Sequence, residues 1–149
     1  MPTSQRSLIG HGSQVFLRAL AVWLVFITVE SILGTLRVLF LEPRIGADAA
    51  QRIGLITGSV ALLIVTYLLI MWTRVEGRAA LLGVGALWLV LTLAFEMVVG
   101  RWRGRSWQSL LADYDITRGG LMSIAMLLLL VAPLIAAEVR NRKPGIFRS

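Results

Sequence analysis

The chain has no cysteine. That absence excludes disulfides, thiolate metal sites, iron–sulfur clusters and thioredoxin-like redox chemistry in one step. Histidine is almost as scarce. His11 stands alone, so a transition-metal or haem site lacks a second ring to complete it. Ser106, Ser109 and Ser123 have no plausible histidine base, and no GxSxG, P-loop, GxGxxG or HExxH spacing occurs. These gaps point to a non-enzymatic protein with no metal site and no cofactor. Charge is also thin, at 15% of residues against the roughly 25% of an average soluble domain.

What remains is apolar. Hydrophobic residues make up 57% of the 149 and the mean hydropathy is +0.79. Four runs, about 15–38, 53–73, 79–100 and 120–138, each come close to the roughly 20 residues that cross ~30 Å of hydrocarbon. Four such runs leave too little polar sequence to coat a soluble fold. The expected fold is an all-α membrane protein with four transmembrane helices, a single transmembrane domain over 1–149 with short basic tails at both ends. The first run resembles a signal peptide because Arg18, near its start, precedes an apolar stretch. It continues through Ile32 and Leu33 to Leu39, past the length of a cleaved apolar region, and is expected to stay as the first helix.

The net charge of +7 would suggest nucleic acid in a soluble chain. Here every basic residue except Lys143 is arginine, clustered at helix ends where guanidinium groups reach lipid phosphate, so the expected contact is the bilayer and not nucleic acid. An even number of spans puts both termini on one side. That side carries Arg6, Arg18, Arg74, Arg78, Arg140, Arg142, Lys143 and Arg148, against Arg37, Arg44, Arg52, Arg101, Arg103, Arg105 and Arg118 on the other. Arg18 and the Arg140–Lys143 cluster abut helix ends directly. This places both termini in the cytoplasm, in a bacterial-type inner membrane.

The chain also repeats itself. Glu30, Gly34, Arg37, Arg52, Gly54 and Leu55 recur as Glu96, Gly100, Arg103, Arg118, Gly120 and Leu121, each 66 positions later, and Ala21–Val25 is echoed by Ala86–Val90 at 65. Aliphatic coincidences mean little in so apolar a chain, but matching Glu, Gly and Arg positions at one offset mean more. The reading is two tandem two-helix repeats, about 15–73 and 79–138, related by a pseudo-twofold along the membrane normal.

Glu30 and Glu96 interrupt apolar runs, where a carboxylate needs a partner or a water-filled cavity. Arg37 and Arg103 follow each by seven residues, on nearly the same helix face. Arg52 and Arg118 open the following helices at the same end. These six form the candidate intramembrane polar site, read either as structural ion pairs or as a site for a proton, ion, anion or lipid headgroup. Gly54 and Gly58 give a GxxxG spacing expected to pack helices, and Gly34 and Gly100 are expected to let neighbours close over the glutamates. Pro43 and the Asp48/Arg52 spacing suggest a short helix before the second span. Trp107, Leu110, Leu111 and Tyr114 lie at i, i+3, i+4 and i+7 within 104–117. This describes an interfacial docking helix capped by Ser106. The expected function is an accessory or assembly subunit of a larger membrane complex, in contact with lipid and with other membrane subunits or itself. The alternative is a homo-oligomeric transporter or channel using the two glutamates.

Overall fold

The computed structural model describes residues 3–115, 117 and 122–141, with side chains from Gly12 onward. Every regular element among them is helical. Helix α1 (Thr3–Leu36) starts well before residue 15, so the expected amino-terminal tail is helical backbone from Thr3. It passes into a widened π-helical turn, Arg37–Leu41, in which the amide of Glu42 donates to the carbonyl of Arg37 five residues back. A short helix α2 (Glu42–Ile45) follows, with Pro43 in its first turn as the sequence suggested. Gly46, at φ +83°, makes the reversal into α3 (Ala47–Thr73) that a side chain would resist. The remaining helices are α4 (Arg78–Trp102), α5 (Trp107–Ala112) and α6 (Met122–Asn141).

Four helical spans are long and apolar enough to cross a bilayer: Gly12–Ile45, Ala47–Thr73, Arg78–Trp102 and Met122–Asn141, with mean hydropathies of 2.0 to 2.4. Their outward faces are greasy. Leu17, Ile56, Leu68, Val90, Val98 and Leu127 are all at least 60% exposed, an arrangement stable against lipid and not against water.

The spans close into a ring in which α1 touches α3, α3 touches α6, α6 touches α4 and α4 touches α1. Two tryptophans fix the last contact. Trp23 Nε1 donates to Thr92 Oγ1 at 3.0 Å and Trp88 Nε1 donates to the Ala19 carbonyl at 2.8 Å. Both pairs are 69 residues apart, so α1 and α4 run parallel. This register lies three or four residues beyond the 65–66 offset of the sequence recurrence. Trp23 also meets Phe95 edge-on, with ring centroids 6.4 Å apart. Around these indoles Val22, Phe26, Leu62, Met126, Leu129 and Ala132 complete one dry core.

The α4–α6 contact depends on Gly85. A Cβ there would run into the backbone carbonyl of Leu130. Pro133 is buried nearby inside α6, which continues through it although proline supplies no amide. At the end of the bundle shared by the chain termini, arginines hold the helix ends. Arg18 donates to the Trp72 carbonyl at 3.3 Å and lies over that indole, and Arg140 donates to the Tyr67 carbonyl at 2.6 Å and lies over that phenol. The bond from Arg140 to the Tyr67 carbonyl ties α6 to α3, while the neighbouring Thr66 hydroxyl is buried without a partner.

Candidate functional site

Glu30 on α1 and Arg37, the first residue of the π-helical turn that continues it, are two turns apart and both face α3. The antiparallel α3 presents glycine opposite each. A Cβ at Gly58 would lie 2.8 Å from Glu30 Oε2, and one at Gly54 would lie 2.7 Å from Arg37 Cδ. The GxxxG spacing thus seats two polar side chains of the neighbouring helix where backbone against backbone was expected. Gly100 behaves similarly, receiving the Leu110 side chain, whereas Gly34 has no atom of the chain near its Cβ position. The expected closure of helices over the glutamates at Gly34 is not what the structure has.

Glu96 enters from α4. With residue i of α1 level with i+69 of α4, Glu96 sits three residues, roughly 4.5 Å along the axis, from the level of Glu30. The two carboxylates act on one another electrostatically. Glu96 is also in the field of Arg105, Asp113, Arg37 and Arg103. Yet among the described residues neither glutamate has an arginine within 4 Å, and the ion pairs present are Arg105–Asp113 at 2.8 Å and Arg78–Glu138 at 2.9 Å. The direct Glu30/Arg37 and Glu96/Arg103 pairs that would lock helix register are not made. Arg52 is exposed and, among the described residues, makes no ion pair with Asp48 or with either glutamate. Arg118 lies outside the described residues.

Two residues join the site that the sequence reading did not place there. Arg105 reaches back from the loop after α4 to Asp113 and to Ser109 Oγ at 2.9 Å, straddling α5. The hydrogen bond that Arg105 donates to the Asp113 carboxylate holds the guanidinium above its ordinary value, so its charge is secure. Gly104, at φ +80°, provides the reversal that aims Arg105 this way. In the sequence Asp113 is one of eight acids, and nothing in its spacing singles it out.

Helix α5 differs from the expected amphipathic segment. Ser106 caps it as anticipated, accepting from the Ser109 amide at 3.2 Å, but it spans only six residues. Its apolar stripe splits. Leu110 is 4% exposed and turns inward onto Gly100, Tyr114 packs half-buried against the core, and only Trp107 and Leu111 face outward. Arg101 lies over the Trp107 ring at 5.3 Å. The element is a roof over the polar cluster with two lipid-facing anchors, and no four-residue docking face survives.

Three buried polar atoms surround this cluster without a hydrogen-bond partner: Glu30 Oε1, Arg37 Nε and the Tyr114 hydroxyl. Buried polar groups are normally satisfied, so their concentration around Glu96 marks the region as unusual. Burial pushes the Tyr114 phenol above 10.0, the charges of Glu96 and Asp113 add to the rise, and Arg105 opposes it. The fold therefore favours the neutral phenol. Its contribution to stability is complete below 10.0 and is lost as pH rises through the elevated folded value. A difference absorbance titration of wild type against Tyr114→Phe is expected to show this phenolate emerging above pH 10.0 in the folded protein and at its ordinary value after unfolding. A folded-state phenolate at or below that pH contradicts the burial argument.

No group of three metal-ligating side chains occurs among the described residues. Compared with protein-family models, with curated proteins and with solved structures, the chain matches none. Its class rests on its own architecture, that of a multi-pass helical membrane protein with a roofed polar cluster at one end.

Proposed function

We propose that this protein is a non-enzymatic accessory or assembly subunit of a larger membrane complex. The observation that carries the reading is the seal across the middle of the bundle. Trp23, Trp88, Phe26, Leu62, Leu129 and Ala132 fill the space between the arginine-held end and the Glu30/Glu96 end. A solute would have to displace two hydrogen-bonded indoles to pass between the four helices. A protein whose interior is closed, and whose outer faces are apolar along their length, is suited to acting through its surface.

The setting of this reading is a single transmembrane domain in a bacterial-type inner membrane, with both termini cytoplasmic. The two tandem two-helix repeats of this reading would be the adjacent pairs α1–α3 and α4–α6; the ring sets α1 beside α4 and α3 beside α6, whereas an exact twofold along the membrane normal would set them diagonally. Partners would be other membrane subunits or further copies of this chain, with lipid around them.

A second reading, a homo-oligomeric carrier of a proton, ion or small anion, is favoured by one observation: Glu30 holds a buried carboxylate oxygen with no partner inside a membrane-length helix. Its pathway would run between copies. The two readings separate on one pair of variants. Glu30→Gln and Glu96→Gln break no ion pair among the described residues, so both are expected to accumulate and elute like wild type. Under the accessory reading, protein extracted from its native membrane in mild detergent keeps the same co-purifying subunits in a defined ratio with either variant. Recovery of wild type as a pure homo-oligomer, with vesicle flux abolished by either substitution, would instead establish the carrier.

A further inference from the structure

At the end of the bundle away from the polar cluster, α4 begins beside the place where α6 finishes, and a groove of about 350 Å³ opens between them. Its mouth is polar, formed by Arg78, Glu138 and Asn141, and its floor is Leu81, Leu134 and Ala137. From Asn141 to Leu134 it descends seven residues, roughly 10 Å, from the level where the spans end into the hydrocarbon. Arg78 and Glu138 meet at 2.9 Å across the mouth, with side chains 81% and 41% exposed. An ion pair so open to solvent contributes little to stability. The contact uses one Arg78 nitrogen and one Glu138 oxygen, so further guanidinium N–H donors and the second carboxylate oxygen remain available to a ligand at the mouth.

We propose that this groove seats one phosphatidylethanolamine molecule. Its phosphate accepts from Arg78, its primary ammonium donates to Glu138, and an acyl chain lies along Leu81, Leu134 and Ala137. A positive and a negative group held side by side at the depth of lipid headgroups match a headgroup that also carries one of each. An anionic glycerol headgroup of the same chain length would satisfy Arg78 but offer Glu138 only neutral hydroxyl donors in place of an ammonium, alongside a net negative charge. The site is separate from the Glu30/Glu96 cluster and independent of the proposed subunit role.

The test is native mass spectrometry of the full chain in mild detergent, titrated with phosphatidylethanolamine and phosphatidylglycerol of identical acyl chains. Wild type is expected to retain the ethanolamine lipid about tenfold better, the scale of one charge-assisted hydrogen bond. Glu138→Gln is expected to erase that preference, and Arg78→Gln to weaken both lipids together. Leu134→Trp fills the floor and is expected to exclude both, while Arg44→Gln at the opposite end changes neither. Equal retention of the two lipids by wild type overturns the proposal. So does a preference that survives Glu138→Gln, or undiminished binding in Leu134→Trp.

Discussion

Gly85→Ala is expected to destabilise the bundle more than any other single-methyl change in the chain. The added Cβ would meet the Leu130 carbonyl, which is backbone within α6 and has no rotamer through which to retreat. Relief requires α4 and α6 to separate along the contact that joins the second pair of spans. Overpacking costs roughly 1–3 kcal/mol where side chains can adjust, and a clash with helix backbone belongs at or above the top of that range. Gly83→Ala is the matched control. It lies two residues away on the same helix, and its Cβ position is open. Thermal unfolding followed by size-exclusion recovery in detergent is expected to leave Gly83→Ala like wild type and to deplete Gly85→Ala. Equal behaviour of the two would mean that α4 and α6 are not in this close contact. Gly54 and Gly58 fall between these cases, because their obstacles are the mobile ends of Arg37 and Glu30.

Trp88→Ala is expected to produce the second large loss. Trp88 is 1% exposed at the centre of the main core, and its indole is both filler and crossbar between α4 and α1. Truncating a buried aromatic to alanine typically costs about 3–5 kcal/mol, from lost burial and the cavity left behind. Trp88→Phe separates the two contributions. It retains most of the buried surface and loses the bond to the Ala19 carbonyl, a change of about 1 kcal/mol. The expected order of unfolding midpoints is wild type, then Trp88→Phe, then Trp88→Ala well below. A Trp88→Ala midpoint equal to wild type would show that the seal is not part of the stabilising core.

The spans were legible because hydropathy accumulates. Each of about twenty residues votes for the membrane, and errors of a few positions at the ends do not change the outcome. The two intramembrane glutamates were legible for the opposite reason, as single charges whose cost singles them out. What surrounds them was harder to read. A helix face can be read from spacing, but not which neighbour occupies it, so Gly54 and Gly58 registered as a packing motif without the carboxylate and guanidinium they receive. Arg105 and Asp113 come together only because Gly104 and a six-residue α5 bring the loop back on itself. That closure was hidden by a longer apolar periodicity through Tyr114. Gly85 went unread, although it shares the buried face of Leu81, Val84, Trp88 and Thr92 and has no side chain of its own.

The one-turn displacement between α1 and α4 has a consequence for the echoed glutamates. Two equal units mated face to face would set like charge against like charge at the same height, the least favourable placement for a pair of carboxylates in a poorly screening medium. Sliding one unit by a turn staggers them like the teeth of a zip. Glu30 then lies against Gly58 of α3, while Glu96 falls within the field of Arg105 and Asp113. A position repeated in the sequence thus acquires two different surroundings, and each copy is free to be changed without dictating the other.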